Sequence, residues 1–157
     1  MAHRALASRI VAAPSEVVLD VALTVDDMVR WFPLPIEAVD PPEDGRLHVG
    51  ESCLAESVLA GRRLHTRIEV IEAGETRYEL AALGPLRFIV TADLVSRIDG
   101  CEIHACVEAL SGGGLTGRVL EAACRPLLGT GLRQALERLA RIAEARPPVP
   151  VVAGERA

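Results

Sequence analysis

Two hydrophobic periods divide the chain. From Leu128 the apolar positions Leu128, Leu132, Ala135, Leu139 and Ile142 advance by alternating steps of four and three, which puts them on one stripe of an α-helix. Leu136 and Ala143 widen the stripe. Arg133, Glu137, Arg138, Arg141 and Glu144 fall largely on the opposite face, where Arg133/Glu137 and Glu137/Arg141 are neighbours one turn apart. Leu115, Val119 and Ala122 continue the helical period upstream, so the pattern predicts a helix over 115–145, roughly 45 Å long at about 1.5 Å rise per residue. It should kink or divide between Ala122 and Pro126, because a proline there removes one helical hydrogen bond and crowds the Ala122 carbonyl.

In the middle of the chain the period changes to two. Over Arg62 to Ile71, Leu64, Thr66, Ile68 and Val70 face one way and Arg63, His65, Arg67 and Glu69 the other. Tyr78, Leu80 and Ala82 alternate with Arg77 and Glu79. Leu86, Phe88, Val90, Ala92 and Leu94 alternate with Arg87, Thr91 and Asp93 within Leu86–Arg97, and Ile103, Ala105, Val107 and Ala109 with Glu102, His104 and Glu108 within Cys101–Leu110. Gly61, Ala73–Thr76, Gly84–Pro85 and Asp99–Gly100 are the turns, and strands joined this closely must pair antiparallel.

The N-terminal third is predicted as a strand over His3–Ala13 that Pro14 ends, then two short helices. Ser15 offers a cap for the first, over Glu16–Leu23, and Asp26 or Asp27 for the second, through Met28, Val29, Trp31 and Phe32. Ile36–Val39 reads as a short strand, Pro41–Gly45 as a loop and Gly50–Ala60 as a further strand. The order is strand, two short helices, six strands, long helix. This is an α+β arrangement in which a curved antiparallel sheet of six or seven strands wraps a long C-terminal helix, with Gly112–Gly114 letting the chain swing across the apolar face. Residues 1–145 read as a single ligand-binding domain. Residues 146–157, with Pro147–Pro150 at their start, read as an extended, mobile tail.

Composition narrows the function. At 157 residues the chain is one domain large enough for an unstapled core. Half of it is hydrophobic but only 3% aromatic, so any cavity is aliphatic and smooth. Net charge is -5 and all 17 basic residues are Arg, which argues against nucleic acid or anionic lipid as partner. The absence of Lys excludes a lysine Schiff base. It also suits a GC-rich bacterial coding bias. Cys53, Cys101, Cys106 and Cys124 form no C-x-x-C pair and show no ligand spacing with His, so free thiols are expected, with no metal and no cofactor. Arg9 interrupts any signal-like apolar run and no stretch reaches the roughly 20 apolar residues of a span, so a cytoplasmic protein without integral membrane association is expected.

Few residues carry candidate chemistry. Tyr78 and Thr66 face inward and could polarise a ligand carbonyl, with His48 or Arg46 at a pocket mouth. His65 and His104 share the polar face with Glu69, Glu102 and Glu108 and read as solvated. The expected ligand wall consists of Leu64, Thr66, Ile68, Tyr78 and Leu80 from one strand pair, and Phe88, Val90, Ile103 and Val107 from the next. Trp31 and Phe32 close one end, and Leu115 and Val119 form the roof.

This order of elements, together with Ile10-Val-Ala-Ala-Pro-Ser-Glu-Val-Val18 and Trp31-Phe-Pro33, resembles the START-related helix-grip superfamily (SRPBCC). That superfamily includes polyketide cyclases and dehydratases, lipid and quinone carriers, and pollen allergens. The resemblance covers about residues 5–145 and implies a helix-grip fold around an apolar cavity. Members with cyclase or aromatase activity place Arg, Tyr and Ser inside the pocket. Here Arg63, Arg67 and Arg77 point outward, so no family catalytic residue carries over. The first expectation is binding or transport of a hydrophobic small molecule such as a lipid, quinone or polyketide. The alternatives are a polyketide cyclase, aromatase or dehydratase, and a protein-interaction module without ligand. A homodimer through sheet edges is allowed by the pattern.

Overall fold

The structure, a computed structural model, describes residues 3–33, 35–59, 61–85, 87–110, 118, 122, 125 and 128–147. Its elements are β1 (His3–Val11), α1 (Ser15–Leu23), α2 (Val25–Trp31), β2 (Ile36–Ala38), β3 (Ser52–Leu59), β4 (Arg62–Ala73), β5 (Arg77–Leu83), β6 (Arg87–Arg97), β7 (Gly100–Leu110) and α3 (Leu128–Ala145). The seven strands form one curved antiparallel sheet in the order β1-β7-β6-β5-β4-β3-β2. The meander from β2 to β7 is consecutive, and only β1 arrives from afar to pair with the last strand.

Register turns the alternation of each strand into continuous rows. Ala5, Val107, Val90, Leu80 and Val70 make one row on the concave face, and Ala7, Ala105, Ala92, Tyr78 and Ala73 the next. Four alanines thus leave room for the single tyrosine. A bulge between Val70 and Glu72 places the extra Ile71 outward, 44% exposed, and restores the alternation so that Ala73 meets Tyr78. The β3–β4 hairpin closes on Leu59 opposite Arg62, and Gly61 takes the left-handed conformation (φ 76°) that such a tight connection needs.

The caps differ from expectation. Ser15 is the first residue of α1, with Pro14 at the cap position, and its hydroxyl lies 3.3 Å from that of Ser96. Neither Asp26 nor Asp27 caps α2; both lie in its first turn, behind Thr24. Asp27 is 6% exposed. A carboxylate so placed needs fixed counter-charges, and it has Arg30 at 3.6 Å and the Arg146 guanidinium.

The terminal helix buries Leu132, Ala135, Leu136, Leu139, Ala140, Ile142 and Ala143, which is the predicted stripe with Ala140 added and its first member, Leu128, only half-buried. Its packing is mainly on β1, then on α2, α1 and β7. Its C-terminal end is fastened by charge: Glu144 accepts from the Ala12 amide at 2.9 Å, and Arg146 bridges Asp20 of α1 to Asp27 of α2. Asp20 is also bound by Arg46, at 2.6 Å. Arg146, grouped with the tail on sequence pattern, is therefore tied into the folded domain. Upstream, Arg118 and Ala122 are helical and exposed, so Ala122 faces water rather than the apolar stripe. Gly112–Gly114, Pro126 with its expected kink, and the tail beyond Pro147 lie outside the described residues. No helix among the described residues is long and apolar enough to cross a membrane.

Arg146→Met should strip Asp27 of its closest counter-charge and destabilise the fold by about 1.5–3 kcal/mol in urea unfolding. Asp27→Leu combined with Arg146→Leu should cost less than the sum of the single changes, since no orphaned charge is then left behind.

Candidate functional site

The concave face has two regions. At the β1 end it is solid core: Val11, Cys101, Ile103, Leu94 and Ala92 are 0–3% exposed beneath the helices. Toward β2 it is looser, and inward-facing Thr66, Phe88, Val90 and Ile36 are only half-buried. There a void of about 10 Å3 opens between the sheet and the end of α2. Its floor is Ile36–Ser57–Leu64 in one register row, Ala55–Thr66 in the next and Ile68 with Phe88 in a third. Phe32 covers it. Room of that size holds about one water molecule.

Both phenylalanines and the single tryptophan form one run. Trp31 lies 5.9 Å from Phe32, and Phe32 lies 6.2 Å from Phe88, measured between ring centres. Trp31 donates its indole N–H to the Val21 carbonyl at 3.3 Å, which pins α2 to α1. Phe32 is held from the other side, because the Arg138 guanidinium of α3 donates to its carbonyl at 3.0 Å. So Trp31 belongs to the wedge between helices and Phe32 to the pocket.

Of the residues predicted to contact a ligand, Phe32, Leu64, Thr66, Ile68 and Phe88 are thus brought together around the void. Tyr78, Leu80, Ile103 and Val107 share the same face but sit 0–6% exposed within the core. Val90 is half-buried beside them. Leu115 and Val119 lie outside the described residues. His48 stands apart: it is exposed, pairs with Asp44 at 2.8 Å and is not among the lining residues. That contact holds the Asp44 carboxyl below its usual range. Arg46 is engaged with Asp20 rather than with the pocket. His65 pairs with Glu56 and His104 with Glu102, and β5 and β6 lie between the two histidines. Among the described residues no group of three His, Cys, Asp or Glu is arranged to hold a metal ion.

One lining residue escaped the sequence reading: Ser57, 8% exposed, in register with inward Leu64 and Ile36. A tight hairpin at Gly61 would have given its pairing by counting back from Leu59 opposite Arg62. Thr66 is positioned by close packing, for a Cβ on Gly84 would lie 3.1 Å from the Thr66 hydroxyl and 2.7 Å from the His65 carbonyl.

Burial pushes the Tyr78 phenol well above its ordinary value of 10.0, and Cys101 beside it acts in the same sense. It therefore stays protonated across the physiological range and can serve as a donor but not as a base. Burial likewise raises the Cys53 and Cys101 thiols from 9.0. The unfolded chain releases these protons first, so folded stability should be intact below about pH 9 and should fall as pH rises through 10. Tyr78 is the only tyrosine, so tyrosinate absorbance should appear together with loss of the helical circular dichroism and not before it. Tyr78→Phe should flatten the part of the decline above pH 10.

Residues 2–144 match the family model described as polyketide cyclase / dehydrase and lipid transport. Solved structures with the same fold include a protein of Chromobacterium violaceum, 16% identical with a TM-score of 0.68, over 92% of this chain and 99% of that one. A START superfamily protein from Mycobacterium smegmatis is 15% identical at a TM-score of 0.65, over 90% and 97%. Truncated norcoclaurine synthase from Thalictrum flavum is 12% identical at 0.63, over 94% and 96%. Among curated proteins none matches in sequence. With the family model spanning nearly the whole chain and the sheet, paired short helices and terminal helix all in place, the chain belongs to the polyketide cyclase / dehydrase and lipid transport family of the START-related helix-grip fold.

Proposed function

We propose that the protein binds a hydrophobic small molecule, of lipid, quinone or polyketide type, on the concave face between sheet and helices. The observation that carries this reading is the chemistry of the pocket wall. Among the described residues eight line it: six are apolar, two carry hydroxyls and none is titratable. Such a wall favours burial and orientation of a guest, and it has no acid or base to move a proton. For that reason a cyclase or dehydratase role is the weaker reading, although the family includes that activity. Entry of a guest requires Phe32 and Phe88 to part, because the void between them is small.

The binding unit is taken as one domain that extends through Arg146. The setting is taken as cytoplasmic, in keeping with the free thiols of Cys53, Cys101 and Cys106.

Nile red, a neutral dye that brightens in apolar surroundings, should bind with a blue-shifted emission and change Trp31 fluorescence through the Trp31–Phe32–Phe88 run. Leu64→Gln should weaken its binding by about tenfold, while Leu6→Gln, 72% exposed on the outer face of β1, should leave it unchanged. Native mass spectrometry that finds neither a retained apolar molecule nor uptake from a panel of quinones, esters and aromatic polyketides would sink the proposal.

A further inference from the structure

The two hydroxyls in the pocket define what kind of hydrophobe it accepts. Ser57 and Thr66 occupy diagonal positions across the β3–β4 pair, since Ser57 faces Leu64 and Thr66 faces Ala55. Diagonal neighbours stand roughly 7 Å apart, so both residues border the same part of the pocket. Among the described residues no side chain or peptide group hydrogen bonds either hydroxyl. Nor is any fully enclosed side-chain oxygen left without a partner, so both hydroxyls look onto the pocket's free space. A hydroxyl can donate to a neutral acceptor or accept from a neutral donor.

Among the described residues that line this space none is charged, because strand alternation turns the charged ones away. Arg63 and Arg67 flank Leu64 and Thr66 in sequence, yet both are exposed on the convex face. There Arg67 donates to the Ser52 hydroxyl at 2.8 Å and Arg63 lies 3.7 Å from Glu56. Glu56 and His65 are paired on that outer side as well. A carboxylate guest would leave water without meeting a cation, and an ammonium guest would meet no anion; either loss is large in an apolar wall.

We infer that the pocket selects neutral hydrophobes bearing a carbonyl oxygen, namely ketones, esters and quinones, and rejects the corresponding carboxylates, with Ser57 and Thr66 as the selecting donors. This rests on the binding reading above, and the two are separable by experiment. Methyl decanoate, decanoate and decane share one chain and differ in the head group. Their affinities for the intact protein are read by Trp31 fluorescence and native mass spectrometry, with Nile red displacement as a second measure.

The ester should bind at least tenfold more tightly than decanoate. Thr66→Val and Ser57→Ala should each weaken the ester about two- to tenfold relative to decane, while Thr66→Ser should retain the preference. Circular dichroism of each variant confirms that it is folded. Equal or tighter binding of decanoate, or an ester preference that survives the Ser57→Ala/Thr66→Val double variant, overturns the selectivity while leaving hydrophobic binding intact. Failure of all three probes and of Nile red overturns both.

Discussion

A sheet with one dry face and one wet face has to keep its register, since a slip by one residue would send every arginine of a strand into the core. Here that constraint reaches across the whole sheet. Rows run from strand to strand across it, as in Ala5–Val107–Val90–Leu80–Val70, which joins five strands. The bulge at Ile71 keeps the match where β4 would otherwise fall out of phase. Charged groups of the β2–β7 meander are thereby sorted outward, where they pair across strands, as Arg77 does with Asp93 at 2.9 Å and Arg97 with Glu102 at 2.8 Å. The pocket owes its neutral wall to this sorting, and its chemistry is a consequence of register before it is a property of any one residue.

Side-chain size then divides the dry face. Alanines surround Tyr78, and the helices press onto Val11, Ile103 and Leu94, which are 0–3% exposed, so this part of the face is solid core. At the other end Phe32 and Phe88 meet over a floor of Leu64, Thr66 and Ile68, and the fit is looser. The same apolar alternation therefore yields core at one end and a binding surface at the other. Tyr78 falls on the core side, which makes it a structural phenol held in its neutral form.

Charge enters where helices meet. Arg146 joins Asp20 and Asp27, and with Arg46 on Asp20 it ties α1, α2, the loop before β3 and the end of α3 into one network. Because Phe32 follows α2 directly and accepts a hydrogen bond from Arg138, the same helix that closes the domain also sets one wall of the pocket. Position of the terminal helix and shape of the site are mechanically linked.

Local periodicity settles what neighbours in sequence can settle. The inward sets Leu64–Thr66–Ile68–Val70 and Ile103–Ala105–Val107, the stripe of the terminal helix and the antiparallel meander were all legible, because alternation and helical spacing report which face is dry. Periodicity does not report depth. Whether an inward residue ends in solid core, as Tyr78 and Ile103 do, or at a pocket, as Phe88 and Thr66 do, depends on which distant element lies over it. Ser57 became a wall residue through its pairing with Leu64 and Ile36. Asp27 and Arg146, 119 residues apart, became partners only when the chain's two ends were packed together. Contacts of that range leave no period in the sequence, and tertiary structure alone decides them.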